Sequence, residues 1–160
     1  MVQWVAAGVV LPTWAATAQA QMALSAAINV SGSFRALSQR MAKAYCQQHL
    51  QVMPLAALDV LAKVRKQAQA GAADLAKGST AGAWPADLSR QLEEVQKQYT
   101  VLNTLTATAP SKASAAAVAE QADRMMTAAQ TATESLEKLA RAPSAKLVGM
   151  AGRQRMLSQR

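Results

Sequence analysis

Proline partitions this chain. Four of its five prolines, Pro54, Pro85, Pro110 and Pro143, fall between stretches of helical length in which apolar residues recur every three or four positions. A proline disfavours helical backbone in the residue before it, yet suits the first turn of the helix that follows. The first stretch, about 22 to 52, therefore ends at Met53-Pro54, and a second begins at Pro54 and runs to about Lys77. Leu55, Leu58, Leu61 or Ala62 mark the expected buried side of that second helix, and Arg65 or Lys66 its wet edge. Gly78 to Gly82 reads as a flexible link. A third helix, from Trp84-Pro85 to about Thr106, carries Leu88, Leu92, Val95, Tyr99 and Leu102 on one side. After a turn at Thr108 to Ser111, a fourth spans about Lys112 to Arg141 on Val118, Ala122, Met125, Met126 and Leu136, and Ala142-Pro143-Ser144 closes the unit. Hydrophobic residues reach 51% but aromatics only 4%, with alanine dominant, which suits close-packed helices and not strands. The expected fold is all-α, an antiparallel up-and-down four-helix bundle.

One stretch occurs twice. Residues 28 to 40 and 148 to 160 share Gly32/Gly152, Arg35/Arg155, Leu37/Leu157, Ser38/Ser158, Gln39/Gln159 and Arg40/Arg160, six identities in thirteen positions. On a helix the first copy presents two faces. Val30, Phe34, Leu37, Met41 and Tyr45 form an ordinary core stripe. About a quarter turn away, Ile28, Ser31, Arg35, Ser38, Ala42 and Cys46, bordered by Gly32 and Gln39, make a small, neutral face bearing one charge. Small residues let another helix approach, and a guanidinium held there is costly unless an anion meets its donors. The ordinary alternative is an arginine whose stem lies along the helix while its head reaches water.

INVSGSFRALSQRMAKAY, and more plainly AGRQRMLSQR at the end of the chain, resemble the signature of the PilJ-type, NarX-like sensor domain. The resemblance is specific in the two motifs and architectural between them. It implies the N-terminal periplasmic part of type IV pilus chemoreceptors and of nitrate/nitrite sensor kinases, a dimerising four-helix bundle. It also implies one nitrate or nitrite on the dimer axis, gripped by an arginine from the first helix of each subunit. That arginine lies three residues after the motif glycine, so the role falls to Arg35 with Gly32, and in the second copy to Arg155 with Gly152. Ser31 would let the backbones approach, and Ser38 and Gln39 would add neutral donors. The chain departs from the pattern at Ser33 and Phe34, where Arg and Gln are usual, whereas Arg153 and Gln154 follow it.

No charged side chain occurs in the first 34 residues. The run Val5 to Leu11, Pro12 and the small-x-small Ala18-Gln19-Ala20 read as a secretory signal over residues 1–20, with a membrane anchor as the competing reading. Residues 21–143 then form the bundle in the periplasm, and 144–160, capped by Ser144, open a fifth helix and a second, truncated copy of the motif. The chain reads as a fragment of a longer protein.

With 17 Lys and Arg against 9 Asp and Glu, a net charge of +8 favours anionic partners. The basic residues are dispersed and no cluster alternates with stacking aromatics, which argues against nucleic acid. His49 is the only histidine, no nucleophile motif stands near it, and no glycine-rich phosphate loop is present, so no enzyme activity and no cofactor are expected. Cys46, His49 and Met53 share a helical face and could suit copper or haem, but read more simply as packing, so no metal is assigned. Cys46, unpaired in an oxidising compartment, could also bridge two copies. The expectation is a periplasmic sensor for nitrate, nitrite or a similar small anion, paired as a homodimer through the first helix and linked to a membrane receptor or kinase in chemotaxis or two-component signalling. The alternative from another class is a non-sensing helical module that docks onto a membrane receptor.

Overall fold

A computed structural model describes residues 13–80, 84–140, 153, 154 and 157, with side chains described from residue 24 onward and not for 78–80. Four helices follow in order: α1 (Thr13–His49), α2 (Pro54–Thr80), α3 (Ala86–Leu105) and α4 (Lys112–Ala140), with no strand among the described residues. Each packs on its neighbours in sequence, and α1 also packs along α4, which closes an antiparallel bundle. Tyr45 near the end of α1 meets Ser114 in the first turn of α4, while Ser31 meets Thr133 near its last turns. No described helix is long and apolar enough to cross a membrane.

The core follows the predicted steps in α3 and α4. Leu88, Leu92, Val95, Tyr99 and Leu102 are buried, as are Val118, Ala122, Met125 and Leu136, with Met126 at the edge. Pro85 stands at the N-cap of α3 with extended backbone, the conformation that lets a helix begin directly after it.

Four expectations are corrected. Helix α1 stops at His49, earlier than expected, because Val52 N–H bonds Gln47 O and Gln51 N–H bonds Gln48 O, with Gln51 at φ 57°. This is a Schellman closure with glutamine where glycine is usual. Met53, also left-handed at φ 48°, lies beyond the helix, so it shares no helical face with Cys46 and His49. In α2 the buried stripe is Ala57, Leu61, Val64, Ala68 and Leu75; Leu55 and Leu58 are 82% and 55% exposed. The link expected at 78 to 82 is helical as far as Thr80, its remainder lying outside the described residues.

The signal reading falls on residues 1–12, outside the described residues, and on 13–20, where the backbone is already part of α1. Of the second motif copy only Arg153, Gln154 and Leu157 are described; all three are helical and exposed.

Candidate functional site

Both faces of the motif in α1 are buried within one chain. The apolar stripe meets α2 and α3: a Cβ at Gly71 would stand 3.2 Å from Val30 Cγ1, and the Phe34 and Tyr99 rings lie 6.1 Å apart. The small neutral face meets α4. There Ile28 and Arg35 are each 1% exposed, and Ser31 and Ser38 are fully covered. A twin α1 was expected to cover this face; within the chain, α4 covers it. Spacing identifies a face that admits a close neighbour, not which helix arrives.

The guanidinium of Arg35 is held from both helices. Its Nε–H donates to Gly32 O at 3.2 Å, and its Nη1 donates to Gln130 Oε1 at 2.5 Å. Gln130 in turn donates to Glu134. A Cβ at Gly32 would crowd the head group, standing 3.0 Å from Arg35 Nη2 and 3.8 Å from Thr133 Cγ2. Beside it Thr133 Oγ1 donates to Ala129 O (2.6 Å) and lies within hydrogen-bond distance of Ser31 Oγ (3.1 Å). The guanidinium thus lies at the seam of α1 and α4.

Burial lowers the pKa of Arg35, and the positive charge of Arg153 lowers it further; Glu137 and Glu134 oppose both. Arginine nonetheless stays charged at neutral pH. Glu137 Oε1 is itself buried without a hydrogen bond among the described residues. A cation of the second motif copy therefore acts on the same guanidinium as two carboxylates of α4.

Of the residues singled out from sequence, Ser31, Gly32 and Arg35 come together. Ser38 Oγ instead donates to Arg35 O at 3.0 Å, and Gln39, about a turn further on, donates to Asp123 Oδ1 at 2.9 Å. Gly152 and Arg155 lie outside the described residues. Sequence reasoning missed Gln130, Thr133, Glu134 and Glu137, although their spacing of three, one and three marks a polar stripe on a helix read only for its apolar anchors. No group of three or more His, Cys, Asp and Glu side chains with metal-binding geometry exists among the described residues.

The family model described as PilJ, the type IV pili methyl-accepting chemotaxis transducer N-terminal domain, matches residues 16–128. No curated protein and no solved structure matches. The matched span contains the first motif, α2 and α3, and ends two residues before Gln130.

Proposed function

Because the chain belongs to the PilJ family of type IV pilus chemotaxis transducer N-terminal domains, whose role is sensor-like signalling and not catalysis, we propose that it binds nitrate, nitrite or a similar small anion at Arg35. The observation that carries the reading is the guanidinium itself, 1% exposed at the seam of α1 and α4, with Gln130 Oε1 accepting from its Nη1. A guanidinium carries a fork of donors that pairs most strongly with an anion, so one held this deep offers a charge-assisted seat. A planar monovalent oxyanion matches the fork of an arginine and is loosely hydrated, so it costs less to bury than a carboxylate. Arg153, a second cation acting on Arg35, adds to the attraction. The anion would take the place of the Gln130 carboxamide, with Ser31 and Thr133 hydroxyls alongside.

This seat lies between α1 and α4 of one chain. The arrangement implied by the resemblance has a second α1 in the place of α4, with one anion shared by two chains. The seating of α4 on the neutral face favours the intrachain site, and stoichiometry separates the two. An intrachain site takes one anion per chain with a mass independent of nitrate; a shared site takes half as many and couples binding to dimer formation. The periplasm is the compartment the family implies, where a membrane receptor or kinase would receive the signal.

The test is calorimetric titration of sodium nitrate, with sodium chloride as control, into the wild type and Arg35→Ala, with sedimentation in parallel. Binding by the wild type and loss in the variant are expected. Equal heats in the two proteins, or none in the wild type, overturn the reading.

A further inference from the structure

On the opposite flank of the bundle, α2 and α3 border a cavity of about 410 Å³, open to solvent and lined by Ala62, Arg65, Lys66, Gln69, Tyr99 and Asn103. Its polar lining is two cations, two carboxamides and a phenol, with no carboxylate. Arg65 is half-buried and held in place: its Nε–H donates to Asn103 Oδ1 at 2.8 Å, and its own carbonyl accepts from Tyr99 Oη at 3.5 Å. Anchoring Nε fixes the plane of the guanidinium and leaves the two Nη groups as a fork, for which no partner exists among the described residues. Lys66, the next residue, is exposed and likewise without a partner among them. Two adjacent cations repel each other, and a guest carrying negative charge relieves this.

We infer that the α2–α3 cavity is a second ligand site, for a short organic dicarboxylate. One carboxylate takes the Arg65 fork through paired charge-assisted hydrogen bonds, and the other is drawn to the mobile ammonium of Lys66. The space exceeds what a nitrate fills and falls within the range of small-molecule pockets. Ala62 and the Tyr99 ring supply apolar wall for a carbon chain, and Gln69 supplies a neutral donor. The site stands apart from Arg35 and does not depend on it, although the Tyr99 ring packs at 6.1 Å on that of Phe34, the residue beside Arg35.

Succinate titrated calorimetrically into the full chain tests this, with neutral succinamide and inorganic phosphate as comparison ligands. Wild type binds succinate and not succinamide. Arg65→Gln weakens succinate at least tenfold, Lys66→Gln and Asn103→Ala weaken it severalfold, and Arg35→Met leaves it unchanged. Lys66 is exposed, so its variant reports on binding even where Arg65→Gln lowers the melting temperature. Absence of heat with wild type at millimolar succinate, or wild-type affinity retained in both Arg65→Gln and Lys66→Gln, overturns the proposal. Loss in Arg35→Met with retention in Arg65→Gln also overturns it, by placing the anion at the other site. Tighter binding of phosphate than of succinate overturns the dicarboxylate assignment.

Discussion

Arg35 is the largest side chain among the most fully buried residues of the bundle, and it alone among them carries a charge. Taking a guanidinium out of water costs several kcal/mol, against which each of its hydrogen bonds, those to Gly32 O and Gln130 Oε1 included, returns roughly 1 to 3 kcal/mol. Gly32 leaves room for the head group, and Ser31 and Thr133 satisfy each other beside it. Methionine has similar length and no charge, and Gln130 is near enough to the surface to turn its amide to water. Arg35→Met is therefore expected to melt at or above the wild-type temperature, by up to about 2 kcal/mol of stability, while abolishing the nitrate heat. A fall of several degrees instead would mean that the bonds to Gly32 and Gln130 outweigh desolvation, and that the residue is structural.

Among the elements, α2 separates pattern from packing. Leucines at 55 and 58 suggest a buried side, but the bundle buries Ala57, Leu61, Val64 and Ala68 and leaves both leucines out. Small alanines on the inner face let α2 lie close to α1, where Gly71 receives Val30 and Phe34. Leu61→Ala should then cost about 2 to 5 kcal/mol in urea unfolding, and Leu55→Ala no more than about 0.5 kcal/mol. Comparable losses would return Leu55 to the core.

The same contrast explains what the sequence made legible. Helices α3 and α4 alternate a wet face with a narrow apolar one, so their buried residues follow from spacing. Helix α1 packs on α2 and α4 at once, which makes both its faces inner ones. Periodicity exposed the two faces and the odd arginine, but the identity of the covering helix depends on chain path, which one helix cannot encode. Gln130 went unread because its role exists only once α4 lies beside α1. The early end of α1 went unread because a glutamine, not a glycine, takes the left-handed position there.

At the scale of the whole molecule, the titrating groups that burial shifts set the direction of pH dependence. Burial pushes the Cys46 thiol up, and it pushes the Tyr99 phenol up against the opposing charge of Arg65. Each group keeps its proton in the folded chain at a pH where the unfolded chain has released it. The unfolded state then binds fewer protons, so stability falls as pH rises. The contribution is fully present below about pH 8.5, where a free thiol begins to ionise, and is lost as pH climbs through the raised folded value; the phenol adds its own loss above about pH 10. Urea midpoints should accordingly stay level from pH 7 to 8 and decline beyond. Cys46→Ala removes the thiol and leaves the phenol, so its decline should be shallower between pH 8.5 and 10 and parallel to wild type above that. A midpoint that rises with pH, or a variant with the wild-type slope throughout, would show that the half-buried Cys46 thiol is not insulated from water when the bundle is closed.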